Sequence, residues 1–186
     1  MAILPLVIAP DVRLKTKSSP VEKIDAAIKQ LAADLFDTMY HERGIGLAAV
    51  QVGELKRMLV ADVTWRDEGG PGDQWVLINP EIISGSEEER VYKEGCLSFP
   101  DQFAEVMRPD SVRVKYQDLD GAWHEKEFED LLATCIQHEI DHLNGIVFVD
   151  HISMVKRDMI LRKLTKLKKL GAFEPEHVHG DHCNHG

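Results

Sequence analysis

The sequence predicts an α+β fold, with antiparallel sheets around a central helix that carries an HExxH motif and further helices at the N- and C-terminal ends. Three observations predict it. Apolar residues recur at helical spacing in three segments, near 20–44, 130–143 and 154–170. Strand-like stretches lie between the first and third of these segments, and a turn signal joins two of them as a hairpin.

Taken in order, Ser19 followed by Pro20 and Glu22 has the pattern of a capping box with proline at the first helical position. Ile24, Ile28, Leu31, Leu35 and Met39 then keep helical spacing until Gly44 stops the run. Strands are expected over 58–63, 75–78, 112–116 and 123–128, with a polar loop at 66–73. Asp118-Leu119-Asp120-Gly121 is a hairpin turn, its glycine supplying the positive φ. A second helix is predicted over 130–143 with Asn144-Gly145 as its stop, then a short strand over 146–149. A third helix fills 154–170, with Ile160, Leu164 and Leu167 on one side and Gly171 at its end.

A chain of 186 residues suffices for one core, and the expected division is a catalytic unit over 1–171 and a tail over 172–186. No apolar run reaches the roughly 20 residues of a membrane-spanning helix. The start, MAILPLVIAP, is apolar but has no basic region before it, so it reads as a mature N-terminus. Three cysteines without a secretory signal fit a reducing cytoplasm. The net charge of −10 argues against DNA as a partner of the body of the protein. The charge is uneven: segment 154–170 holds seven basic residues and one acidic, +6, which leaves −16 for the rest.

The strongest motif is His138-Glu139-Ile140-Asp141-His142 on the second helix. Residues four apart stack one turn above the other, so both imidazoles can share a metal ion, and Glu139 can act as proton acceptor. The third ligand decides the enzyme class. Phe148 stands where the metzincin extension needs histidine, and Glu174 and Glu176 lie in the tail. Cys96, in Glu94-Gly95-Cys96-Leu97-Ser98, is the better ligand, since a thiolate suits a borderline divalent metal. Following the first helix, Gly44-Ile45-Gly46-Leu47-Ala48-Ala49-Val50-Gln51 has Ala49 where a phosphate-binding fingerprint needs its third glycine. What remains is a backbone that can run close to an extended ligand, and a Gln51 amide able to donate a hydrogen bond.

GIGLAAVQ, EGCLS and QHEIDH, in this order and spacing, resemble the three signature motifs of the peptide deformylases, in particular the bacterial type with a helical C-terminus. The likeness extends over nearly the whole chain up to Leu170. It implies an enzyme that removes the formyl group from the initiator methionine of nascent chains. It implies Cys96, His138 and His142 as ligands of one divalent metal, natively ferrous iron, with zinc, nickel or cobalt in its place at times. It further implies Glu139 as the acid/base, with Gln51 and the Leu97 amide holding the formyl oxygen and Gly46 part of the same catalytic set. Another metalloamidase or protease, and a catalytically inactive binding protein, are the competing readings.

Helix geometry extends the site. Leu131, Thr134 and Cys135 precede His138 by seven, four and three residues and share its face, so they are expected to line a methionine-sized apolar pocket. Ile45 and Tyr92 are expected to close it, with Glu94 and Gly95 also touching substrate. Thr134 stands where relatives lead one to expect a bulky aliphatic residue, which leaves the pocket's width open. Asp141 points away from the ligands and should pair with Arg108 or Arg113. The basic 154–170 helix is expected to dock on ribosomal RNA, as similar enzymes suggest. The tail is too polar to order itself, and either a second metal bound by some of His177, His179, His182, Cys183 and His185 or a lattice contact is expected to hold it.

Overall fold

The computed structural model describes residues 2–173; the tail histidines and Cys183 lie outside them. Helix α1 spans Ala26–His41. Strands β1 (Gly46–Ala48) and β2 (Met58–Ala61) follow, then one helical turn, α2 (Trp65–Glu68). Strands β3 (Trp75–Gly85), β4 (Glu89–Cys96), β5 (Phe99–Pro109), β6 (Ser111–Gln117) and β7 (Trp123–Glu129) come next. Helix α3 (Asp130–Leu143) and helix α4 (Met154–Lys169) complete the order. Two antiparallel sheets form, one of five strands in the order β1-β2-β3-β6-β7, the other the β4-β5 pair. The α+β class is as the sequence predicts.

At β1 and β2 the five-stranded sheet is buried on both faces, and β2 shows how. Leu59 points to the side of α3, where it joins Leu77, Val114, Phe128, Ile136, Ile140 and Leu143. Met58 and Val60 point to the opposite side and meet Ile28, Leu35 and Met39 of α1. This is the period-2 alternation of a strand between two helices. A third cluster, with Phe99, Val106, Phe148 and Leu164, binds the β4-β5 pair and α4 to the rest.

Several elements differ from expectation, each for a physical reason. Helix α1 starts at Ala26, capped by the Asp25 side chain, which accepts from Ile28 N at 3.1 Å. Ser19 instead bridges backbone to backbone with the chain before β2: Ser19 N donates to Leu55 O and Arg57 N to Ser19 O. Asn79 holds Val21 extended through two hydrogen bonds, so the helix cannot begin earlier. Strand β3 runs past Pro80 because the ladder to β6 is irregular there, and proline is tolerated where a ladder donor is not needed. Segment 146–149 is not a strand. Residues Phe148–His151 make a 3-10 turn, with Asp150 accepting from Val147 N at 3.0 Å. The polar segment 66–73 begins inside α2.

Strands β1, β4 and β5 were not expected. In β4 and β5 the inward positions include Glu94 and Arg108, whose charges neutralise each other across the pair and hide the alternation. The hairpin at 118–121 forms as read, with Gly121 at φ 83° and Asp118 accepting from Asp120 N and Ala122 N.

The end of α3 is fixed by Gly145, at φ 73°, where a Cβ would lie 2.6 Å from Lys15 O. Gly145→Ala is expected to cost about 2 kcal/mol or more, from the left-handed φ together with the backbone clash. Urea unfolding of the variant checks this.

Candidate active site

Helix α3 is two-faced. Ala133, Ile136, Ile140 and Leu143 enter the core under the sheet, while Leu131, Thr134, Cys135, His138 and His142 share other sides of the helix, near the β4-β5 pair and β1. The two imidazoles stand edge to face with centroids 4.9 Å apart. Cys96 arrives from the end of β4, where the ladder to β5 shifts register between Gly95 and Cys96. Its Sγ lies 3.3 Å from His142 Nε2. Cys96, His138 and His142 each offer one ligand atom, all within 4.8 Å of one another.

The support behind these three is a buried chain of charges. Arg108 reaches Glu94 with Nε at 2.5 Å and Nη2 at 3.1 Å, and Asp141 with Nη1 at 2.8 Å. Glu94 Oε2 lies 2.9 Å from His138 Nδ1, and Asp141 Oδ2 lies 2.8 Å from His151 Nε2. Burial alone would raise the Glu94 carboxyl, but the His138 and Arg108 hydrogen bonds outweigh it and hold it at about 2. An ionised Glu94 can only accept, so Nδ1 of His138 carries the proton and donates, which leaves Nε2 as the ligand atom. Arg113 pairs with Glu125, so Arg108 is the partner of Asp141.

The residues fit a borderline divalent transition-metal ion. One thiolate and two imidazoles are its preferred donors, and His138 already has the outer hydrogen bond that orients metal-binding histidines. Buried Glu139 Oε2 and His142 Nδ1 have no protein partner among the described residues. Burial raises the Glu139 carboxyl to about 7, more than the His138 charge lowers it. Gly46 faces it: a Cβ there would lie 2.7 Å from Glu139 Oε1 and 2.6 Å from Cys135 Sγ. Only glycine leaves room for this carboxylate beside β1.

Gln51 is almost fully buried, and its amide has a defined orientation. Oε1 accepts from Ala48 N at 2.9 Å, so Nε2 faces Ser98 Oγ at 3.2 Å and Cys96 Sγ at 3.5 Å.

A cavity of about 940 Å³ opens over the cluster and includes Ile45, Gly46, Gln51, Tyr92, Leu97, Leu131, Thr134, Cys135 and Glu139 in its lining. Two residues expected to touch substrate line the cavity and also have close neighbours within the protein. Glu94 borders the cavity, but both its oxygens are taken by Arg108 and His138. The space over Gly95 is filled by Phe103, whose ring would meet a Cβ at 2.6 Å. Cys135 donates to Ile45 O at 3.4 Å.

Some participants escaped sequence reasoning. Phe148, known there only as a missing histidine, stacks on His138 with centroids 6.2 Å apart. Ile3, Leu4 and Leu6 line the cavity from the N-terminus, and Ser98 receives Gln51. Only long-range packing brings these to the site.

Comparison with known proteins settles the family. The family model described as polypeptide deformylase matches residues 3–158. The chain belongs to the peptide deformylase family. It is therefore an enzyme. Relatives include the peptide deformylase of Mesorhizobium japonicum, 57% identical over 169 residues, covering 91% of this chain and 95% of the relative. That of Zymomonas mobilis is 53% identical over 172 residues, covering 91% and 97%. Among solved structures, the peptide deformylase of Legionella pneumophila has 45% identity and a TM-score of 0.84, covering 94% of this chain and 100% of that one. The deformylase of Ehrlichia chaffeensis in complex with actinonin has 44% identity and a TM-score of 0.85, covering 91% and 99%.

Arg108→Met is expected to be destabilising by about 3–5 kcal/mol, because it strands Glu94 and Asp141 as buried charges. Metal affinity should fall about 10- to 100-fold as His138 loses its fixed orientation. Denaturant unfolding and chelator competition measure the two effects.

Proposed function

We propose that the enzyme hydrolyses the N-formyl group of the initiator methionine on nascent polypeptides and releases formate. The observation that carries this reading is the Cys96–His138–His142 cluster with Glu139 beside it, at a glycine that makes room for its carboxylate. Cys96, His138 and His142 would hold the metal, ferrous iron by family resemblance, with zinc, nickel or cobalt as substitutes. When bound, such an ion supplies Lewis acidity, which makes water acidic enough to attack at neutral pH and polarises a carbonyl.

The chain's own groups do the rest. Glu139 accepts a proton from the attacking water as its oxygen bonds to the formyl carbon, then delivers it to the amine nitrogen as the C–N bond breaks. A carboxyl raised by burial suits both halves of this transfer. Gln51 Nε2 and the Leu97 N–H donate to the formyl oxygen as it gains charge. One such donor is typically worth about 3 kcal/mol of barrier. Ala48 keeps the Gln51 amide from turning its oxygen toward the substrate. The methionine side chain enters between Leu131, Thr134, Cys135, Ile45 and Tyr92. Glu94 and Gly95 support the ligands and the wall.

The catalytic unit is residues 1–171, and its place is the cytoplasm, where formylated chains are made. Among the described residues no helix is long and apolar enough to cross a membrane. Helix α4 would dock on the ribosome. Lys163, Lys166, Lys168 and Lys169 are exposed, and Leu164 anchors the helix in the core.

The direct test is formate release from formyl-Met-Ala-Ser by metal-loaded protein. Glu139→Ala is expected to keep its metal and lose about 10²- to 10⁴-fold in turnover. A wild-type rate in that variant would remove Glu139 from the mechanism. Replacing Lys163, Lys166, Lys168 and Lys169 with glutamate should abolish ribosome co-sedimentation, and wild-type binding should weaken as salt rises. Equal co-sedimentation by the charge-reversed protein would reject the docking.

A further inference from the structure

The active-site cavity does not end at the metal ligands. It runs past Gly44 to a mouth lined by Arg43 and Arg66, while its other charged lining residues, His138 apart, are the carboxylates Glu42, Glu94, Asp101 and Glu139. On a chain of net charge −10, two guanidinium groups at the entrance to a substrate cavity call for a reason.

The segment that carries Arg66 is built around one buried carboxylate. Asp62 accepts from Tyr40 Oη at 2.7 Å, Thr64 N at 3.1 Å, Trp65 N at 3.0 Å and Gly72 N at 2.9 Å. This sets Trp65, whose indole N–H donates to Gly44 O at 2.8 Å. Arg66 then lies over the Trp65 ring, its Cζ 5.6 Å from the centroid, and donates through Nη2 to Arg43 O. Stacking and a backbone hydrogen bond thus restrict a side chain that would otherwise lose much freedom on binding. Glu42 at the same mouth is engaged by His41 at 3.0 Å, and among the described side chains neither Arg43 nor Arg66 is in an ion pair.

We propose that Arg66, together with Arg43, is a specificity-determining pair that binds a carboxylate at about the third residue of the formylated peptide. This rests on the deformylase reading of the site. Strand β1 is an edge of its sheet, and Gly46 and Gly44 line the cavity. A peptide whose formyl end lies at Glu139, extended along the chain from Gly46 back to Arg43, advances about 3.3 Å per residue. Its third residue then comes to the guanidinium groups. The carboxylate is that of an acidic side chain in a nascent chain, or the terminal group of a short peptide.

The test uses the full, metal-loaded protein and three substrates: formyl-Met-Ala-Ser amide, formyl-Met-Ala-Glu amide and formyl-Met-Ala-Ser free acid. At low salt the carboxylate-bearing peptides should show a KM about two- to fivefold lower than the Ser amide, the size expected of an exposed ion pair, with kcat equal across peptides. High salt should erase the difference. Arg66→Ala should reduce the preference, Arg66→Lys restore part of it, and Arg66→Glu reverse it, a result that misfolding would not produce. A preference for the Glu amide alone assigns an acidic side chain as the ligand; one for the free acid alone assigns the chain terminus. Equal KM for all three peptides in the wild type, or a preference that survives Arg66→Ala combined with Arg43→Ala, overturns the proposal. Failure of the wild type to cleave any of the three would overturn the deformylase reading instead.

Discussion

The site depends on Arg108. Its guanidinium is buried between the β4-β5 pair and α3, bonded to Glu94 on one side and Asp141 on the other. Burying one arginine is costly, and it is tolerated here because two carboxylates share it and each also accepts a hydrogen bond from a histidine. One of those histidines is His138, so the ion pair that joins a strand to a helix also decides which ring nitrogen faces Cys96. Stability and ligand orientation therefore share a single set of atoms. The same network explains why Cys96 can sit at an irregular point of its ladder: Glu94, two residues earlier, is already locked to α3 by way of Arg108 and His138.

A second constraint is space. The carboxylate of Glu139 and the thiol of Cys135 approach β1 so closely that residue 46 has no room for a side chain. The edge of the five-stranded sheet is thereby brought against the reactive groups, and an extended ligand can lie along it. Gln51, just after β1, is held by Ala48 so that its N–H groups face the same point. Strand β1, the Cys96 end of β4 and helix α3 each supply part of the chemistry, and each part is oriented by a neighbour that is not itself reactive. That division of labour keeps the geometry rigid where a proton must pass between fixed positions.

Much of this was legible in the chain. The HExxH spacing alone places two histidines one above the other on a helix, because 3.6 residues per turn leaves no other arrangement. Gly121 and Asp118 specify a hairpin, and Gly145 the end of α3, through dihedral angles that other residues resist. The role of Arg108 was half visible. It could be read as a partner for Asp141, but its firmer tie to Glu94 could not. Strands β4 and β5 were missed for the same cause, since a charged residue facing inward looks like a solvent position until its partner is known.

The sequence by itself determined the α+β class, the helix bearing His138 and His142, and the acid between them, while Cys96 joined them as a candidate ligand through the resemblance of its motif to a known family. These follow from local periodicity, turn chemistry and the affinity of residue types for a metal, all of which act over a few neighbouring positions or belong to the side chain alone. Tertiary structure decided the rest: that Ser19 joins a bridge instead of a helix, that Phe148 stacks on His138, and that Arg108 holds Glu94. It also carried Arg66 to the mouth of the cavity from the far side of β2. The contacts made by Ser19, Phe148 and Arg108 join residues from 10 to nearly 40 positions apart. Burial, charge pairing and steric exclusion act between such residues only after the chain has folded, and no local pattern records them.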